Sequence, residues 1–106
     1  MATVQIDQSA AGSTMRLAAG DQAHLTLAET RTAGYSWKVV SAESPVFRVE
    51  DAGFTRASGV GGTGVHRWTI TALKAGSATL ELTYGRSWES DVGRKFAVTI
   101  RVEAGP

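Results

Sequence analysis

Hydrophobic and polar residues alternate with a period of two along most of this chain. That period is typical of β-strands that bury one face, and no segment shows the period of an amphipathic helix. The alternating apolar positions are Val4 and Ile6; Met15 and Leu17; Ala23, Leu25 and Leu27; Tyr35, Trp37 and Val39; Trp68, Ile70 and Ala72; Leu80, Leu82 and Tyr84; and Phe96, Val98, Ile100 and Val102. About seven or eight short strands separated by turns predict an all-β, immunoglobulin-like sandwich of Greek-key topology.

The alternation also predicts the core and the turns. Pro45 cannot donate to a sheet ladder, so the segment 46–49 is expected near a sheet edge. Residues 74–77 (Lys-Ala-Gly-Ser) are expected to form a hairpin turn between two strands. The predicted core residues are Leu25, Leu27, Trp37, Val39, Trp68, Ile70, Leu80, Leu82, Val98 and Ile100.

Composition limits the chain to one small domain. Its 106 residues bury a single core, so one domain over residues 1–106 is expected. The absence of cysteine excludes disulfides, and packing alone must stabilise the fold. The formal net charge is +1 without a basic run, which argues against a nucleic-acid partner. No apolar run reaches membrane-spanning length and the N-terminus lacks a signal-peptide pattern, so no membrane partner is expected, and we expect a monomer.

A glycine cluster formally matches a nucleotide-binding motif. Gly59, Gly61 and Gly64 have G-x-G-x-x-G spacing, but that motif works only where a helix follows the loop and receives a phosphate at its N-terminus. Residues 65–71 (Val-His-Arg-Trp-Thr-Ile-Thr) predict a strand instead, which excludes this use. The alternatives are a flexible hairpin loop, or a loop kept free of side chains so that its backbone lies against a partner.

Catalytic groups are sparse. His24 and His66 are isolated, have no metal-ligand spacing, and are expected on strand surfaces. Ser87 lacks the G-x-S-x-G frame of a nucleophile elbow. Solvated turns explain the two carboxylate pairs better than acid–base chemistry does: Glu50 with Asp51, and Glu89 with Asp91. The sequence therefore predicts no enzyme, no metal site and no cofactor.

Trp88 differs from the other tryptophans. Trp37 and Trp68 lie on apolar strand faces, whereas Trp88 stands in a polar stretch that joins two strands. A large ring beside Arg86 has the composition of an interface hot spot. The alternative is that the loop folds back and Trp88 caps the end of the core.

Three stretches between predicted strands combine loop residues with aromatic anchors. Alternate loops of a Greek-key sandwich emerge at one end, where three of them can form a single binding edge. The stretches are residues 30–37 (Thr-Arg-Thr-Ala-Gly-Tyr-Ser-Trp), residues 59–64 (Gly-Val-Gly-Gly-Thr-Gly) and residues 84–88 (Tyr-Gly-Arg-Ser-Trp). Their pattern, order and spacing over about residues 17–102 resemble the chagasin family of cysteine-peptidase inhibitors.

The resemblance implies reversible, competitive inhibition of papain-like cysteine peptidases. In that family an N-P-T-T-G-[YF]-x-W loop, a glycine-rich loop and an R-P-W loop form a wedge on an immunoglobulin-like fold and occlude the active-site cleft. Residue by residue, the implied binding positions are Thr30, Arg31, Thr32, Ala33, Gly34 and Tyr35 in the first loop, Gly61, Gly62, Thr63 and Gly64 in the second, and Arg86, Ser87 and Trp88 in the third.

The chain departs from the family pattern inside these loops. Thr30 and Arg31 replace Asn-Pro, Ala33 replaces the second Thr, and Ser87 replaces the Pro of R-P-W. Loss of two prolines gives the loops more freedom to surrender on binding, so weaker inhibition or a different target peptidase is expected. An alternative function is an adhesion or assembly module that binds a non-peptidase protein through the same loops.

Overall fold

The computed structural model describes residues 3–30, 34–41, 45–56, 63–86 and 94–104. In this part of the chain, eight strands and one short 3₁₀ helix are present. In chain order they are β1 (Thr3–Ile6), the 3₁₀ helix (Gln8–Ala10), β2 (Thr14–Ala18), β3 (Gln22–Thr30), β4 (Tyr35–Ser41), β5 (Phe47–Arg56), β6 (Thr63–Ala72), β7 (Gly76–Arg86) and β8 (Arg94–Glu103). Within the described residues, no helix has the length and apolar character needed to cross a membrane.

The strands form two four-stranded sheets, ordered β1-β3-β6-β5 and β2-β8-β7-β4. The strands β5 and β6 form an antiparallel hairpin in the first sheet, and β7 and β8 form one in the second. The first strand of each sheet pairs in parallel: β1 with β3, and β2 with β8. The predicted all-β, immunoglobulin-like sandwich is confirmed.

The core lies between the two sheets and matches the alternation closely. Every predicted core residue is buried except Val39, which is 37% exposed. Val39 lies on β4, an edge strand, just before an irregularity in the pairing of Val39 and Ser41 with β7. Its side chain faces a groove at the open side of the sandwich, between β4 and β5, instead of the closed interior. The core prediction was wrong at this position because an edge strand is covered on one side only.

The predicted hairpin turn at residues 74–77 is also wrong. The strand β6 pairs with β3 and β5, whereas β7 pairs with β4 and β8, so this segment carries the chain from one sheet to the other. The backbone N–H of Leu73 donates to the carbonyl of Val46 at 2.8 Å. Gly76 has φ +149°, and a Cβ there would lie 2.7 Å from Cγ2 of Val46. The close approach to Val46 therefore requires glycine at the crossover.

The segment after Pro45 lies at a sheet edge, as predicted, because β5 is the last strand of its sheet. Contrary to expectation, Glu50 and Asp51 belong to this strand and not to a turn. The pairing register shifts between Asp51 and Gly53, where Gly53 has φ +102° and its N–H donates to Oδ1 of Asp51 at 2.7 Å. Asp51 continues the inward-facing series of Phe47 and Val49, and the β-bulge follows it in the strand.

Candidate functional site

The strands that flank the first and second stretches end together in one sheet. Thr30, the last residue of β3, pairs with Thr63, the first residue of β6. Arg56, the last residue of β5, pairs with Gly64. The connections after β3 and after β5 therefore leave this sheet at the same end.

The strands that flank the third stretch end at the same place in the other sheet. Tyr35, the first residue of β4, pairs with Arg86, the last residue of β7, and Tyr84 pairs with Arg94 at the start of β8. Only residues 31–34 separate β3 from β4, so the two sheets meet at this end. We call it the loop end: the end of the sandwich at which β3, β5 and β7 finish and β4, β6 and β8 begin.

The predicted site residues divide between described and undescribed positions. The structure brings together the backbones of Thr30, Gly34, Tyr35, Thr63, Gly64 and Arg86. The others lie outside the described residues: Arg31, Thr32, Ala33, Gly61, Gly62, Ser87 and Trp88. The choice between an interface and a core position for Trp88 therefore stays a prediction.

Two glycines of the predicted site have local structural reasons to be glycine. Gly34 has φ +85°, a left-handed conformation that leads the chain into β4. Gly64 is buried, and a Cβ there would press on the backbone oxygen of Thr55 and lie 2.5 Å from Cζ of Phe54. Close packing against β5 accounts for Gly64 without any partner.

An aromatic stack joins the first and third stretches. The rings of Tyr35 and Tyr84 are stacked with centroids 5.2 Å apart, and those of Trp37 and Tyr84 are 4.8 Å apart and tilted. Trp37 is only 5% exposed, as predicted for a core tryptophan. Aromatic pairs at these separations stabilise beyond the area they bury. The stack fixes β4 against β7 next to the loop end.

Trp37 also ties β4 to β3, although the two strands belong to different sheets. Its backbone N–H donates to Oε1 of Glu29 at 2.7 Å, and its indole N–H donates to the carbonyl of Ala28 at 2.8 Å. Glu29 is completely buried. These two bonds close the base of the first stretch from within the sandwich.

His66 extends this contact into a buried polar network. Its Nδ1 lies 3.0 Å from Oε1 of Glu29, and its Nε2 lies 2.8 Å from Oδ2 of Asp51. The imidazole stacks on Trp68 with ring centroids 4.0 Å apart. At 4% exposure, His66 is not the surface residue that was expected. The other histidine, His24, is half-buried and lies 3.2 Å from the amide of Gln5.

Continuing the hydrophobic alternation along β3 and β6 would have identified Glu29 and His66, the two buried members of this network. Leu25 and Leu27 face inward, and the same period places Glu29 on the inward face. Counting back from Ile70 and Trp68 places His66 there as well. Both polar residues were missed because the inward faces were traced only through apolar positions. Asp51 also continues the alternation of Phe47 and Val49 along β5, but the predicted segment ended at residue 49.

The network is not suited to catalysis. Each ring nitrogen of His66 already faces a carboxylate oxygen, which leaves neither to activate a hydroxyl nucleophile. Among the residues that the structure describes, no group of three His, Cys, Asp or Glu side chains could hold a metal ion. The arrangement instead connects four strands, β3, β4, β5 and β6, beneath the loop end.

The sequence over residues 16–100 matches the chagasin family of peptidase inhibitors, I42. The chain belongs to the chagasin family. Members of this family are peptidase inhibitors and not enzymes, in agreement with the absence of a catalytic motif in the sequence. Inhibition of papain-like cysteine peptidases is the activity that this membership supports.

Solved structures of similar fold agree with this assignment. The cysteine protease inhibitor EhICP2 from Entamoeba histolytica superimposes with a TM-score of 0.82 at 18% identity, covering 96% of both chains. Amebosin gives a TM-score of 0.74 at 27% identity, over 94% of this chain and 97% of the other. PbICP-C, solved in complex with falcipain-2, gives 0.63 at 17% identity, over 97% and 89%. No curated protein sequence matches the chain.

Proposed function

We propose that this protein inhibits a papain-like cysteine peptidase reversibly and competitively by placing its loop end in the active-site cleft. One observation carries the proposal: the register of the two sheets gathers the flanks of three separate stretches at one end of the sandwich. Those are the stretches that match the three binding motifs of the family. Support also comes from the structural neighbour PbICP-C, which is in complex with falcipain-2.

The three stretches have different parts in this proposal. The backbone around Thr32 and Gly34 enters the cleft beside the catalytic Cys-His pair, without presenting a scissile bond in a cleavable orientation. Arg86 and Trp88 hold one flank of the cleft, as Trp and Arg do at binding hot spots. The glycine-rich stretch contacts the other flank through its backbone.

The base of the loop end favours binding by preorganisation. Glu29 closes the first stretch through the N–H of Trp37, and the ring of Tyr84 joins the first stretch to the third. Flanks that are fixed before binding reduce the entropy that the loops lose in the complex. No covalent step is needed for inhibition of this kind.

The direct experiment is a titration of papain with the purified protein at several substrate concentrations. We expect an apparent inhibition constant that rises with substrate concentration, and full recovery of activity after dilution. Trp88→Ala should weaken inhibition, whereas Lys74→Ala, an exposed position at the other end of the sandwich, should not. Absence of inhibition of papain and of a cathepsin L-type enzyme would contradict the proposal and favour an adhesion or assembly module.

A further inference from the structure

We propose that Glu29 and His66 are positioning residues of the loop end, acting as one buried carboxylate–imidazolium pair that sets the spacing between the first and second stretches. The proposal rests on the inhibitory function proposed above. Neither residue lies in the stretches that match the family motifs. Both act through the strand ends that carry those stretches.

Glu29 holds both flanks of the first stretch. It directly precedes Thr30, the last residue of β3, and its Oε1 accepts the N–H of Trp37 on β4 at 2.7 Å. The Glu29 side chain therefore holds the two flanks of the first stretch together, and the short connection between β3 and β4 also limits their separation. A change at Glu29 releases the β4 flank from the β3 flank without touching a loop residue.

His66 links that closure to the second stretch. It lies near the start of β6, which begins at Thr63, and its Nδ1 contacts the same Oε1 atom of Glu29 at 3.0 Å. Through Nε2 it also contacts Asp51 on β5, the other flank of the second stretch, at 2.8 Å. One imidazole thus connects both flanks of the second stretch to the carboxylate that closes the first.

With both carboxylates ionised, only a doubly protonated ring can donate to both of them. A neutral imidazole donates from one nitrogen only, whereas both nitrogens of His66 face carboxylate oxygens. The Glu29 side chain has no exposed surface, and a buried carboxylate needs donors to offset its lost hydration. When the ring loses a proton, one of the two contacts loses its hydrogen bond and the spacing of the strands is less firmly held.

Among the described residues, the charged groups that contact the ring are Glu29 from β3 and Asp51 from β5. Lys38 on β4 lines the groove that Asp51 also lines. The side chain of Asp51 is 60% exposed, whereas that of Glu29 is fully buried. Protons from the solvent therefore enter the network from the side of Asp51.

A purely structural role for this pair makes a different prediction. Buried ion pairs add little net stability compared with apolar residues of similar size, and their documented use is to specify one arrangement. The pair lies directly beneath the loop end, where one arrangement matters for binding a rigid cleft. If it only stabilised the core, inhibition would follow the fraction of folded protein and nothing else.

The test measures inhibition constants from about pH 5 to about pH 8, the range in which histidine side chains ordinarily change charge. Dividing wild-type by His66→Gln constants on the same peptidase at each pH cancels the titration of the enzyme. We expect this ratio to fall about tenfold from high to low pH, because wild type then gains the equivalent of one charge-assisted hydrogen bond. The ratio for His24→Gln, the matched histidine control, should stay flat.

A second measurement uses the free protein. Nuclear magnetic resonance of the histidine ring nitrogens should show a form of His66 with both nitrogens protonated, because both face carboxylate oxygens. The N–H of Trp37 should exchange faster with solvent in Glu29→Leu than in wild type. Glu29→Gln keeps an oxygen acceptor for that N–H and should retain its protection while flattening the pH dependence.

Several results would overturn the proposal. A single neutral tautomer of His66 throughout the range would remove the ion pair. Parallel pH profiles for wild type and His66→Gln, with both proteins fully folded, would leave only a structural role. If no peptidase is inhibited, the inhibitory function fails, and the ring spectra and Trp37 exchange still decide whether the pair braces the loop end.

Discussion

The two ends of this sandwich are closed in different ways. At the end opposite the loop end, main-chain bonds join the turn after β2 to β6: the N–H of Gly20 donates to the carbonyl of Ala72, and the N–H of Ala72 donates to the carbonyl of Asp21, each at 2.9 Å. One side-chain bond, from the N–H of Ala18 to Asp21, closes the turn itself. Among the residues that the structure describes at the loop end, side chains inside the sandwich join the strands beyond their ladder bonds, chiefly Glu29 and His66. At the loop end, buried side chains therefore hold together strand ends that belong to different sheets.

Removal of Glu29 should have the largest effect on stability. Glu29→Ala leaves the N–H of Trp37 without its acceptor and His66 beside a cavity, so we expect a loss of about 3–5 kcal/mol in the free energy of unfolding. The matched change at the opposite end is Asp21→Ala, whose Oδ2 accepts the N–H of Ala18 at 2.9 Å. It should cost only about 1 kcal/mol. Equal losses in urea denaturation would contradict the difference between the ends.

Trp88→Ala should separate binding from stability. We expect peptidase binding to weaken by at least about 2 kcal/mol, or roughly thirtyfold, with the melting temperature nearly unchanged. Inhibition titrations and thermal denaturation of the same preparations measure both quantities. A large fall in melting temperature would place Trp88 in the core, as the alternative from the sequence has it.

Gly34→Ala tests the turn that leads into β4. At φ +85° an alanine is strained by about 1–2 kcal/mol, so stability should fall by that amount and inhibition should weaken as the first stretch shifts. Gly12→Ala is the matched control, because Gly12 has a similar φ of +80° and lies away from the loop end. Equal weakening of inhibition in both variants would remove the special role of the first stretch.

A smaller effect is expected at Asp7, which belongs to neither end. The hydroxyl and then the backbone N–H of Ser9 donate to its carboxylate and hold its pKa below the usual 3.8. Because the folded pKa is the lower one, the stabilisation is present above pH 3.8 and disappears as the pH falls through the folded value. Melting temperatures of wild type and Asp7→Ala should therefore differ slightly near neutral pH and converge in acid. A constant difference would contradict this origin.

Most of the fold prediction came from hydrophobic alternation, because every second residue of a half-buried strand faces the core. It placed Leu25, Trp68 and Ile100 in the core without any knowledge of pairing. It could not show which sheet a strand joins, since pairing is a long-range property, and so the crossover at Gly76 was mistaken for a hairpin turn. Exposure of Val39 depends on the edge position of β4, which is equally non-local.

The sequence predicted the three stretches of the candidate site but not the buried side chains that hold their flanking strands together. Motif order identified the flanking residues Thr30, Tyr35 and Arg86, which the strand register brings to one end. The bracing by Glu29 and His66 was missed because His66 was assigned to a strand surface and the inward face of β3 was not traced beyond Leu27. In a β-sandwich, a charged residue that continues an inward-facing series is better taken as a signal of a buried network.

The most direct test of the central claim is hydrogen exchange of this protein, free and in complex with papain. Slower exchange in the complex should appear at the loop end, at the amides of Gly34, Tyr35 and Gly64. The amides of Leu73 and Gly76 at the opposite end should exchange at unchanged rates. Protection confined to the opposite end, or a saturated complex without any change at the loop end, would contradict the account.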